Sequence, residues 1–201
     1  GKFYISFSNM VWYIEQQKEA EDLARKHGFH KVSQLKLAVV KRIKEFVAGG
    51  GFLFAMCSAT DSFDIALAAE GLDICERMFD GDPADPQAQE KLDFEKTLAF
   101  TNFRLVRDPY QYEFSSIDNP PNERGLRQDN DYFNLFEFSA KWDPIPTMLT
   151  QNHTKVISGF FGQTTGFKTS LIKPDVVVMG ENKDIKESKY IHGVLSKGFW
   201  T

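Results

Sequence analysis

The chain has few of the residues that staple or anchor a fold. Its two cysteines, Cys57 and Cys75, are too few for a disulfide framework. No Cys-x-x-Cys pair and no paired Cys/His spacing is present, so a zinc site is not expected. The two thiols either form one bridge or stay free. A thiol at a strand end and another beyond a helix favour the second arrangement and leave the redox compartment open. No apolar run approaches the length needed to cross a bilayer, and no basic-then-apolar segment opens the sequence. A leader could still lie upstream if the chain is part of a longer protein. Charge of one sign is also missing. With Lys+Arg 24 against Asp+Glu 28 and a net charge of −4, there is no basic footprint for RNA or DNA.

Apolar and aromatic side chains are plentiful. Across 201 residues, 42% apolar and 14% aromatic content supports one sizeable core, or one domain plus an appendage, and 19 phenylalanines disfavour disorder. The segment from Trp12 to Lys26 predicts a weakly amphipathic helix with Ile14, Leu23 and Ala24 as its apolar residues, ending near Gly28. Ser33 is placed to cap a second helix, QLKLAVVKRIKEFVA. There Leu35, Val39, Ile43, Phe46 and Val47 share a face expected to cover a sheet.

Residues 49–61, GGGFLFAMCSATD, carry the most information. The run 52–56 is too short for a helix and suits a buried strand. Residues 58–61 then supply capping-type side chains before FDIALAAE, a helical stretch that stops at Gly71. Strand, sharp turn and helix would put Cys57 at the carboxyl end of a strand, where the helix's first amides favour an anion. Two readings stay open: a nucleophilic or substrate-touching thiol, and a small apolar core residue.

Beyond Gly71 the stretch 78–89, MFDGDPADPQAQ, reads as a surface loop. The acids Asp80, Asp82, Asp85 and Glu90 lack EF-hand spacing, so no metal is assigned to them. Aromatic-rich runs at 98–103, 110–114 and 133–138 read as short elements, with a polar, Pro-containing loop among them. Strands are expected at 156–160, 176–179, 190–195 and from Phe199 onward, with a hairpin turn at 196–198. Between them Gly162-Gln163-Thr164-Thr165-Gly166 offers glycines and hydroxyls that could hold an anion, or serve as a structural turn. Asn152-His153-Thr154 fits a glycosylation acceptor by pattern. Only one strong buried strand precedes residue 97, so the chain is expected to be a fragment, lacking strands upstream and at least one element downstream.

The segments GGGFLFAMCSATDSFDIALAAEGLDICE, FEFSAKWDP at 136–144, MLTQNHT at 148–154 and GFFGQTTGF at 159–167 resemble a bacterial family labelled asparagine synthetase B. The resemblance runs the length of the chain and matches the later part of a longer protein. Members of that family resemble class I glutamine-amidotransferase-like domains, the group that includes ThuA-like proteins. The implied fold is α/β and flavodoxin-like, an open sheet with helices on both faces and a β-rich C-terminal part. It would form one partial domain over 1–201 with a loop-rich insertion at 78–130. An exported, periplasmic location is also implied.

Two patterns of true asparagine synthetase B enzymes are absent: the N-terminal cysteine, and a Ser-Gly-Gly-x-Asp-Ser loop for pyrophosphate. ATP-dependent asparagine synthesis is therefore not carried over, and no cofactor is implied. The amidotransferase resemblance implies instead that Cys57 is the nucleophile, with His153 or a histidine beyond residue 201 as base. Ser58, Thr60, Asp61, Gln163, Thr164 and Thr165 are the candidate binding residues. The family's Gly-x-Cys-x-Gly stands here as Ala55-Met56-Cys57-Ser58-Ala59, and its downstream His-x-Glu has no counterpart. Two functions follow: Cys-dependent amide hydrolysis or transfer, or a binding module that has lost the dyad and takes a small molecule, a carbohydrate, a peptide or a partner protein. Contacts with missing parts of its own chain or with a partner are expected as well.

Overall fold

The computed structural model describes residues 2–118, 132–135, 155–158, 166–181 and 190–196. Helices fill the first part, and an antiparallel sheet is assembled from the later segments. The chain is thus mixed α/β, as expected. The open, helix-covered parallel sheet is not what the described strands form, since every pairing among them is antiparallel.

Helix α1 spans Lys2–Phe7, α2 spans Val11–Lys26 and α3 spans Val32–Ala48. Arg25 and Lys26 end α2, where cations suit the helix dipole, and Gly28 at φ 81° turns the chain away. The start of α3 differs from expectation. Ser33 lies inside the helix, Lys31 is the cap residue, and the Gln34 amide oxygen accepts from the backbone N–H of His30 and Lys31 at 3.0 and 3.3 Å. The Gln34 side chain, longer than that of Ser33 and one residue further along the helix, reaches back to these amides. Nor does α3 cover a sheet. None of its residues is buried, and it packs beside α2 and α4.

The stretch 52–56 is not a strand. It carries no helix, turn or bend, and its side chains alternate between half-buried and exposed, the two-residue period of an extended chain, and it pairs with none of the described strands. Helix α4, Ala59–Ala68, follows Cys57 and ends before Gly71 at φ 82°. A short helix α5, Arg77–Asp80, closes on the left-handed Gly81.

The main core lies where α4 meets the irregular stretch 92–118 and residues 167–171. Ile65, Ala68, Leu92, Phe100, Phe103 and Ile117 are buried there with Phe167 and Leu171. Much of it comes from residues expected to be a loop-rich insertion. The runs 98–103 and 110–114 form no named strands. Isolated bridges instead join Phe100 to Ile172, Leu105 to Ser115 and Asp118 to Phe167.

Strands β1 (Tyr132–Leu135), β2 (Val156–Ser158), β3 (Gly166–Lys168), β4 (Val177–Glu181) and β5 (Tyr190–Ser196) run in the order β2-β1-β4-β5-β3. At the edge of this sheet β3 sends Phe167 into the core, with its ring centroid 5.3 Å from that of Phe100. Strands β2, β4 and β5 overlap the strands expected at 156–160, 176–179 and 190–195, and β1 overlaps the aromatic-rich run at 133–138. Ser196 ends β5, while residues 197–198 of the expected turn, Phe199 onward and the glycosylation pattern lie outside the described residues. Among the described residues no helix is long and apolar enough to cross a membrane.

Candidate functional site

Cys57 sits at a bend, as the sequence predicts, although the element before it is unpaired. Its φ of 56° lies in the left-handed region. Among the described residues other than glycine only Asn102 shares that conformation. Ala59 N–H donates to the Met56 carbonyl at 3.2 Å, and Thr60 N–H donates to the Cys57 carbonyl at 3.0 Å. These two bonds wrap the backbone tightly around residue 57 and feed it into α4. The side chain is exposed and reduced, and Cys75 is free as well.

Ser58 takes the cap position of α4 with helical φ and ψ of −59° and −17°, and its hydroxyl makes no capping bond. Both Ser58 and Thr60 are half-buried beside the turn. Asp61 is not a surface binding group. It is fully buried, and its Oδ2 accepts from the Ser115 hydroxyl at 3.1 Å. Helical periodicity explains the difference: Asp61, Asp64, Ile65 and Ala68 fall on one face of α4, and that face meets the core.

His153, Gln163, Thr164 and Thr165 lie outside the described residues. His27 and His30 are exposed at the α2–α3 junction, and His192 is on β5 opposite Gly166. Among the described residues no side-chain hydrogen bond joins Cys57 to an imidazole.

Two polar clusters were not assembled from sequence, although Asp80 and Asp82 of the second were named as loop acids. The first is built on Asp64. Its carboxylate accepts from three successive backbone amides, Leu98 at 2.5 Å, Ala99 at 2.8 Å and Phe100 at 2.7 Å. Burial pushes its pKa up from the ordinary aspartate value, against the downward pull of those amides. An acid on the apolar stripe of FDIALAAE was the available signal, because an acid survives burial only with partners waiting.

The second cluster surrounds Lys31. Its ammonium donates to Asp73 Oδ2 at 2.5 Å, to Asp80 Oδ2 at 3.2 Å and to Asp82 Oδ1 at 2.6 Å. Those hydrogen bonds, the one to Asp73 foremost, raise its pKa above the usual lysine value. Donor atoms of Asp73, Cys75 and Asp80 lie within 4.8 Å of one another, a spacing a metal ion could use. Lys31 already supplies a positive charge there. Burial, with Asp80 and Asp73 nearby, pushes the Cys75 thiol up, away from the thiolate a metal needs. Asp85 is engaged in the same manner by Lys91 at 2.7 Å. The acidic loop is thus neutralised by lysines, and the arrangement serves to tie residues 73–82 to the start of α3.

A third feature is exposed apolar surface. Phe46, Phe52 and Met56 are exposed, and the Phe46 ring lies directly against Gly51, where any Cβ would meet it at 2.3 Å. Farther along, Phe3, Phe7, Trp12 and Tyr13 cluster around α1, and Tyr4 packs edge-on against Phe79 with centroids 4.9 Å apart.

Compared with family models, curated proteins and solved structures, the chain matches none of them.

Proposed function

We propose that the chain belongs to a glutamine-amidotransferase-like domain in which Cys57 attacks an amide. One observation carries the reading: an exposed thiol held in a left-handed turn between a straight apolar segment and a helix. Nucleophiles of hydrolases on α/β sheets are displayed on such strained turns, which lift the reacting atom clear of its neighbours. In this proposal Sγ adds to the amide carbon, the C–N bond breaks, and the nitrogen leaves as ammonia or an amine after taking a proton. Water then cleaves the thioester, giving a carboxylic acid and restoring the thiol. His153 is the proposed proton carrier. Ser58 and Thr60 would contact substrate from the helix side, and Gln163, Thr164 and Thr165 from the facing loop. The flavodoxin-like sheet belongs to the same proposal.

The test is a pair of measurements. An electrophilic amide analogue should label Cys57 at neutral pH faster than it labels a free thiol of equal exposure. Cys57→Ser should abolish turnover of any amide the protein hydrolyses. Labelling at the rate of an unactivated thiol, with hydrolysis unchanged in Cys57→Ser, defeats the proposal.

A second reading is favoured by the apolar surface beside the turn and by the lack of an imidazole bonded to Cys57 among the described residues. Here the domain keeps the scaffold without the dyad and binds a carbohydrate, a peptide or a partner protein. Titration with oligosaccharides and cell-envelope extracts should then yield a complex that survives Cys57→Ala. A complex lost in that variant, or none at all, counts against it.

A further inference from the structure

Independently of any chemistry at Cys57, we infer that residues 52–56 form a pairing edge, and that a second copy of this chain adds to it as an antiparallel strand. The stretch is straight, with alternating exposure, yet it pairs with none of the described strands. Among the described residues the backbone groups of Leu53 and Ala55 find no hydrogen-bond partner. In an extended chain those two residues point their N–H and C=O groups to the same side. One edge of the segment therefore presents a row of unused donors and acceptors. Backbone groups of this kind are complemented by another extended backbone.

The sequence of the segment points to itself as that partner. From Gly49 to Thr60 there is neither a charge nor a proline, the usual devices that keep an edge from meeting its own copy. A two-fold axis through Phe54 would set Leu53 opposite Ala55 of the second copy in both directions, giving two hydrogen-bonded pairs. Phe52 would then stand across from Met56 of the second copy, and both side chains are exposed in the single chain, at 64% and 56%. Phe46, resting on Gly51, widens the apolar contact at each end. The same register puts Cys57 opposite Gly51 of the second copy, where the Phe46 ring takes the place of the missing side chain. The pairing rests on the backbone edge and the thiol chemistry on the turn, and neither requires the other.

Sedimentation of the full chain across a wide concentration range, together with hydrogen exchange at single-residue resolution, tests the inference. The expected result is a monomer–dimer equilibrium in which the amides of Leu53 and Ala55 gain protection as dimer accumulates. Phe52→Lys places two ammonium groups in the contact and should weaken dimerisation by about tenfold or more. Ala55→Pro removes a donor from the edge and should do the same. Circular dichroism confirms that each variant stays folded, and if Ala55→Pro does not, the exchange data on the unaltered chain decide. A chain that is monomeric throughout overturns the inference. So does a dimer indifferent to Phe52→Lys, or one in which Leu53 and Ala55 exchange as freely as in the monomer.

Discussion

Two neighbouring regions treat polarity in opposite ways. Around α4 and residues 92–118, acids are buried: Asp61 and Asp64 are as inaccessible as Phe100 and Phe103. Around α3 and residues 52–57, phenylalanines face outward and no residue of α3 is buried. Side-chain hydrophobicity does not separate the two regions, but the fate of the backbone does. In the first, irregular chain is sealed by partners. Asp64 takes the amides of 98–100, and Gln89 bonds both the Phe103 carbonyl and the Leu105 N–H at 3.1 and 2.8 Å. Lys44 and Lys173 reach the carbonyls of Lys96 and Thr97 at 2.7 and 2.9 Å. In the second, the backbone of Leu53 and Ala55 has no such partners among the described residues, and Phe52 and Met56 stay in solvent.

The contrast is sharpest for large apolar side chains. Phe103→Ala should cost about 3–5 kcal/mol of unfolding free energy, because it empties a fully enclosed site. Phe52→Ala, the matched truncation on the exposed side, closes the series as its smallest effect, within about 0.5 kcal/mol. Urea denaturation of the two variants checks both. Equal losses would erase the distinction between the regions.

Next in size is Asp64→Ala, expected to cost about 3 kcal/mol by stranding three amides, that of Phe100 buried and those of Leu98 and Ala99 partly so. Asp64 also has a pH signature. Its folded-state pKa lies above its unfolded value, so the folded chain keeps a proton that the unfolded chain releases. Its contribution is greatest at low pH and falls as pH rises from the ordinary aspartate value through the raised one. Glu70 has the opposite sign, since ion pairs with Lys41 and Lys96 lower its pKa. It adds stability above its ordinary value and loses it as pH falls through the lowered one. Denaturation of Asp64→Asn across acidic pH should show the downward slope with rising pH removed, leaving that of Glu70.

Lys31→Ala should cost less, about 1–2 kcal/mol, because the pairs it breaks are partly solvated. High salt should shrink the difference between this variant and the parent chain. A loss unaffected by salt would mean that Lys31 acts through its aliphatic stem.

The helices were readable because their signals are local. Gly28 and Gly71 mark the ends of α2 and α4, and apolar spacing marks α3. Residues 52–56 were misread because a strand exists only with a partner, and period and composition cannot say whether one is there. The core stretch 92–118 was hidden for a related reason. Its backbone is held by Asp64, Gln89 and two lysines far away in sequence, and no local pattern records those bonds. At the candidate site, the bend at Cys57 was legible from three glycines and the onset of a helix, whereas the inward turn of Asp61 required knowing which face of α4 meets the core.

Asp64 also decides what kind of object residues 65–97 are. One carboxylate grips amides 34 to 36 positions downstream, so that length of chain is a ring cinched at its neck without a covalent bond. Closing such a ring grows harder only slowly with size, by roughly 0.6 kcal/mol per doubling. Insertions or deletions around the rim near Gly81 are therefore tolerable as long as the neck keeps its acid, and the ring can be redecorated without reopening the interior.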